Sequence, residues 1–332
     1  MITDIYTHIF PRRFFDALTK QSEGLGSLAE RMKSVASVLD LDQRFREMDV
    51  LGDYRQVISL PHPALEPIAA PADAARLAKI ANDGLAELCV RHPDRFPAFV
   101  AQVSMSDVAA AVDEIDRAIG QLGARGVQIY TNVAGQPLDR PEFEPVFAAL
   151  ARHDLPVWLH PARTAAMTDY TAEAKSRYEM WWCFGWPYET SVAMSRLVFS
   201  GIFDRYPNLK IITHHLGGMI PYFDGRVGAG MEFLGSRTAD EDYSAVLKSL
   251  HKPHLDYFKM FYADTAMFGS ATALPSGLSF FGADHVVFAT DAPFGPIMPT
   301  LQALDPLGLD ARDRHKILHG NAERLLKMGL PG

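Results

Sequence analysis

Four apolar segments of this chain each end in a residue type that binds metal ions. They are residues 2–8, ending in His8; 155–160, ending in His160; 209–215, ending in His214 and His215; and 285–291, ending in Asp291. An imidazole or a carboxylate carried into an apolar interior costs free energy unless it finds a partner. A shared cation would be such a partner, and imidazole with carboxylate suits Zn²⁺, Mn²⁺ or Fe²⁺. A catalytic ion needs about three protein ligands and an open position for water or substrate. His8, His160 and Asp291 meet that requirement if the segments are strands whose ends lie side by side. Side chains alternate faces along a strand, so Tyr6 and His8 share a face with Asp4, and Val287 and Ala289 share one with Asp291.

His214 and His215 pose a choice. Neighbours on a regular strand point opposite ways, so one must face the surrounding helices or leave at a bend. Gly217 and Gly218 supply a bend, because glycine accepts positive φ. The histidine left at the mouth would act as a ligand, general acid or base, its pKa lying near neutrality. Asp264 follows another strand-like run, 259–263, and is either a site acid or a cap. His62, His92, His153, His315 and His319 read as surface or capping residues, whereas His251 and His254 sit undecided in a polar insert.

These side chains need a scaffold that brings separate strand ends together. Apolar runs at 2–8, 55–60, 96–103, 126–130, 155–160, 209–215, 259–263 and 285–291 alternate with helix-period segments. Residues 72–92 are alanine-rich with one apolar stripe; 107–122 open on an N-capping Asp107; 141–153 carry Pro141 in the first turn. Helices are also read over 188–204, 219–234, 271–281 and 310–328. A charged stretch at 12–49 ends in a helix, and inserts fall at 163–182 and 235–256. Eight strands alternating with helices predict an α/β fold, a (β/α)8 barrel with loop insertions, as one domain over 1–332. Active sites of such barrels lie at the strand C-terminal ends. An open doubly wound sheet is the alternative, weakened because no Gly-x-Gly-x-x-Gly follows the first strand.

The bulk numbers agree with a small-molecule enzyme. The chain has 332 residues, 48% of them hydrophobic, and a formal charge of −8. The charge is dispersed and leaves no basic surface for nucleic acid. No uncharged run approaches membrane-spanning length. No export signal is visible, so a cytoplasmic location is expected. Cys89 and Cys183 are far apart and imply neither a disulfide framework nor a zinc ribbon.

Taken together, the motifs resemble the amidohydrolase superfamily nearly end to end. The resemblance is to the branch holding aminocarboxymuconate-semialdehyde, γ-resorcylate and 5-carboxyvanillate decarboxylases. It rests on Asp4-Ile5-Tyr6-Thr7-His8-Ile9-Phe10-Pro11, Arg44-Phe45-Arg46-Glu47-Met48-Asp49, Leu159-His160-Pro161 and Gly185-Trp186-Pro187-Tyr188-Glu189-Thr190. Pro207 to Ile211, His215-Leu216-Gly217-Gly218, Ala289-Thr290-Asp291-Ala292-Pro293-Phe294 and Asn321-Ala322 complete it. The resemblance implies one divalent metal, Zn or Mn, held by His8, His160 and Asp291. It implies His215 as active-site acid–base, with His214 as its outward neighbour. Trp182 and the aromatic insert would line the substrate pocket, and Arg226 would be structural or reach substrate. A homodimer or higher homo-oligomer is expected as well.

One departure matters. Tyr6 stands where the family carries its first ligand, and a neutral phenol, titrating near ~10, is a poor ligand. Tyr6 either binds metal as phenolate, stands beside a three-ligand ion contacting water or substrate, or marks a weakened site. The fourth strand offers Tyr130-Thr131-Asn132 and no bridging lysine, which disfavours a binuclear hydrolase. The expected activity is non-oxidative decarboxylation of a small aromatic or unsaturated carboxylic acid, with Asp291 or His215 as proton donor. A metal-dependent hydrolase or hydratase of a lactone, amide or enol acid is the alternative. A barrel that has lost its metal and only binds a small molecule is a third reading.

Overall fold

Parallel pairing runs around the whole molecule. The computed structural model describes residues 1–21 and 34–329. The first strand, Ile2–His8, pairs with the second, Tyr54–Ser59, which pairs with Ala98–Phe99. The third strand continues through Val100 into Ala101–Gln102, which pairs with the fourth, Val127–Tyr130. The fifth, Val157–His160, the sixth, Ile211–Thr213, the seventh, Tyr262–Asp264, and the eighth, Val286–Val287, follow in order, each parallel to the last. The ring closes where Ile5 N–H donates to Phe288 O at 2.9 Å and His8 N–H to Ala292 O at 2.7 Å. The predicted barrel is therefore observed. No helix among the described residues is long and apolar enough to cross a membrane.

Period-2 alternation explains most of the interior, and it breaks where the first strand shifts register between Asp4 and Thr7, so that adjacent Ile5 and Tyr6 join one cluster. Ile5, Tyr6, Val57, Val100, Trp158, Ile212, Val287 and Ala289 form a buried cluster inside the ring. The larger apolar cluster lies between strands and outer helices, among them Pro71–Arg91, Val108–Gly120 and Glu144–His153. Asp107 and Asp40 cap their helices by accepting the amide protons of Ala110 and Gln43, each at 3.0 Å.

Two polar ties hold the strand that carries Tyr6 and His8. Asp4, fully buried, accepts from Thr290 Oγ1 at 2.5 Å, Thr290 N at 3.1 Å and Tyr54 Oη at 2.5 Å. Arg44, only 2% exposed, donates from Nη1 to His8 O and from Nε to Gln56 Oε1, both at 2.6 Å. Asp4 is thus a fastener between the first and eighth strands.

Three predicted elements are broken. The span 219–234 is not one helix: Pro221 and the glycines leave Asp224–Val227 and a 3-10 turn, Met231–Phe233. The helix read at 188–204 begins earlier, Gly185–Phe199, and restarts as Ile202–Arg205 after Gly201 at φ 72°. The closing helix contains a π segment, Lys316–Gly320, between Ala311–His315 and Asn321–Leu326. Of the charged stretch, 12–21 is helical, and residues 22–33 lie outside the described residues.

Candidate metal centre

His8, His160, His214, His215 and Asp291 meet at the strand C-terminal end of the barrel. One ligand atom each from His8, His160 and His214 lies within 4.8 Å of the others, and the same holds for His214, His215 and Asp291. All five are buried, from 1% exposed at His8 to 9% at His215. Backbone carbonyls choose the tautomers. His8 Nδ1–H donates to Leu60 O at 3.0 Å and His160 Nδ1–H to Pro161 O at 2.7 Å. Each Nε2 is then left with its lone pair directed inward, the arrangement typical of a metal-binding histidine.

Two acceptors consequently face each other, because His8 Nε2 lies 2.9 Å from Asp291 Oδ1. His8 Nε2, His214 Nε2 and His215 Nδ1 are buried without a hydrogen-bond partner. Ligand bonds of about 2.0–2.1 Å give tetrahedral edges of roughly 3.4 Å. The 2.9 Å pair and the 3.6 Å between His214 Nε2 and Asp291 Oδ1 bracket that length. The donor set fits one divalent ion.

Electrostatics sort the titrating groups. Burial would raise Asp291, but the adjacent His214 and His8 imidazoles outweigh it and hold the carboxyl well below its usual range. Burial, reinforced by His214 and His8, keeps His160 neutral, and burial with His214 pushes His215 down to about 3. His214 goes the other way. Burial opposes its charge, yet Asp264 and Asp291 lift it to about 10. Backbone geometry marks the same place: Asp291, His215 and Leu216 have φ of 63°, 54° and 56°. Positive φ at residues other than glycine persists only where surrounding contacts impose it.

The structure corrects five expectations. His214 does not point outward. Strand pairing ends at Thr213, and the turn to positive φ at His215 puts both imidazoles on one side, ring centroids 3.7 Å apart. Trp182 turns to Phe268 and donates to Glu179 Oε2 at 2.9 Å, whereas Trp186 lies 5.5 Å from His160 and 5.9 Å from His215. Arg226 is exposed on its short helix, over the Phe223 ring at 5.6 Å, and is not among the clustered side chains. His62 is no surface residue: it stacks on His160 at 6.0 Å and contacts Trp186 at 5.5 Å. Its position in a proline-flanked loop, outside any strand, hid this in the sequence. His319, also read as surface, is buried and shares a hydrogen bond with Thr3 Oγ1 at 2.9 Å.

Tyr6 and Asp264 sit beneath the cluster. Tyr6 Oη donates to Gln128 Oε1 at 2.5 Å, and burial drives its pKa well above the ordinary value. The phenol is therefore neutral and already committed, which disfavours the phenolate reading. Gln128 Nε2 in turn donates to Tyr130 Oη at 3.0 Å, and Tyr130 packs 5.3 Å from His160. Asp264, expected as a site acid or substrate contact, is fully buried and accepts from His214 Nδ1 at 2.5 Å.

Comparison with known proteins decides the lineage. The Amidohydrolase family description matches residues 4–328. This chain belongs to that family. A γ-resorcylate decarboxylase of Polaromonas sp. (strain JS666) is 33% identical over 301 residues, covering 88% of this chain and 89% of the relative. The 2-amino-3-carboxymuconate-6-semialdehyde decarboxylase of Dictyostelium discoideum is 28% identical over 342 residues, covering 97% and 90%. A 5-carboxyvanillate decarboxylase of Novosphingobium aromaticivorans, solved with manganese and 4-hydroxy-3-methoxy-5-nitrobenzoic acid, superposes with TM-score 0.84 at 28% identity, covering 99% and 96%. Like these relatives, the chain is a decarboxylase of the amidohydrolase family.

The His62 wall gives a first expectation. His62→Ala should raise KM for an aromatic substrate about tenfold, the cost of one lost aromatic contact, with kcat little changed. Steady-state kinetics at fixed metal measure it; an unchanged KM would remove His62 from the pocket.

Proposed function

We propose that this amidohydrolase removes CO2 without oxidation from a small aromatic acid that carries a hydroxyl beside its carboxylate. His8, His160 and Asp291 hold one divalent ion, Mn or Zn. When bound, the ion supplies positive charge to orient the substrate carboxylate and hydroxyl. The observation that carries this reading is the inward convergence of imidazole lone pairs on an ionised Asp291, with His8 Nε2 and Asp291 Oδ1 2.9 Å apart.

The chain's own residues do the rest. Asp291 takes up a proton and delivers it to the ring carbon that bears the carboxylate. The carbon–carbon bond then breaks, its electron pair returns to the ring, and CO2 leaves. His215, neutral and with Nδ1 unpartnered, is placed to exchange that proton with Asp291. Trp186, His62 and Tyr130 give flat walls suited to an aromatic ring. Arg163 lines an adjoining cavity of about 690 Å³ with Tyr170, Tyr178, Phe184 and Tyr188, and its carbonyl accepts from Trp186 Nε1 at 3.1 Å.

The reading takes the chain as one barrel domain of a cytoplasmic enzyme that self-associates. Exposed Tyr170, Tyr178, Phe184, Tyr222 and Phe233 support a homodimer or higher oligomer. The deciding experiment is a CO2-release assay of Mn-loaded protein against γ-resorcylate, 5-carboxyvanillate and a set of lactones. Release of CO2 from an aromatic acid is expected; lactone opening without any decarboxylation would replace this reading with a hydrolase.

A further inference from the structure

The first strand withholds a ligand, and the end of the sixth strand sets an imidazole beside the gap. Tyr6 packs edge-on against His214, ring centroids 4.8 Å apart at 87°, with its hydroxyl spent on Gln128. His214 belongs to both ligand groupings, one with His8 and His160, the other with His215 and Asp291. Its Nδ1 is fixed on Asp264 Oδ2 at 2.5 Å, and Asp264 Oδ1 is itself fixed by the Ala266 amide at 3.1 Å. That leaves Nε2 1% exposed at the residue level, without a hydrogen bond, and 3.6 Å from Asp291 Oδ1.

We infer that His214 is a further metal ligand, taking the place that Tyr6 leaves, and that Asp264 is the positioning residue that aims it. A carboxylate behind a coordinating histidine fixes its ring and raises its basicity. Asp264 stands in that relation to His214. His215 lacks such a carboxylate and instead stacks on Trp186 at 22°, which puts it on the substrate side. The centre then comprises three imidazoles and one carboxylate. The inference rests on the proposed metal centre, though not on decarboxylation.

The test is Mn(II) binding to stripped, refilled protein, read by titration calorimetry and by pulsed EPR, which counts directly bound imidazole nitrogens. Wild type should show three, and His214→Gln two. Mn affinity should fall about 10- to 100-fold in His214→Gln and in Asp264→Asn. It should stay within about threefold in His215→Gln and Tyr6→Phe, with circular dichroism confirming folding. Should His214→Gln not fold, the wild-type nitrogen count and Asp264→Asn decide. Two nitrogens in wild type, or undiminished affinity in both His214→Gln and Asp264→Asn, overturn the inference while leaving the metal centre standing. A protein that binds no Mn or Zn overturns the metal centre and this inference together; three nitrogens without CO2 release overturn only the decarboxylase reading.

Discussion

Asp291→Asn is expected to lower kcat at least about a thousandfold, within the usual span for losing a general acid–base group. The substitution is nearly isosteric, and asparagine tolerates the left-handed backbone found at φ 63° as well as aspartate does. The fold should survive for that reason. The amide cannot carry the proton to the ring carbon, and it removes the one negative charge that faces both His8 Nε2 and His214 Nε2. Single-turnover CO2 release with saturating Mn, alongside the melting temperature, measures both. An activity loss under tenfold would show that the proton comes from elsewhere.

Removing the metal should cost nearly as much. Chelation is expected to abolish turnover, and adding back Mn or Zn to restore it. Stability should change too, because an ion that binds only the folded barrel adds about 2.7 kcal/mol when present at 100 times its Kd. For a chain of this size that corresponds to a drop in Tm of roughly 4 °C on chelation. Calorimetry with and without chelator reads it. An unchanged Tm and full activity after complete stripping would refute a catalytic ion.

The residues differ in how far the sequence revealed them. His8, His160 and Asp291 could be found because each closes an apolar run whose alternation fixes its side. His214 and His215 could not be separated, because alternation presumes a regular strand and this one ends at Thr213. The turn to positive φ on a histidine, rather than on the glycines that follow, has no sequence signal. Gly217 and Gly218 serve packing as well: a Cβ on Gly217 would meet Phe281 at 2.8 Å, and one on Gly218 would meet the Pro187 carbonyl at 2.5 Å. Trp182 and Trp186 could not be ranked as pocket residues for want of a helix phase, since the helix Gly185–Phe199 begins between them. His62 and Arg226 failed for opposite reasons. A proline-flanked loop folds inward over the mouth, and the helix read over 219–234 is interrupted by Pro221 and its glycines.

The barrel's closure sets an order of events during synthesis. Asp4 and Thr290, 286 positions apart, fasten the first strand to the last, and His8 receives its opposing carboxylate only across that seam. A growing chain therefore exposes its first imidazole long before Asp291 leaves the ribosome. The complete chelating set exists only after translation has passed the eighth strand. Capture of a cation through Asp291 is therefore a late step, and nascent fragments that stop short of the seam have no way to retain an ion through that residue.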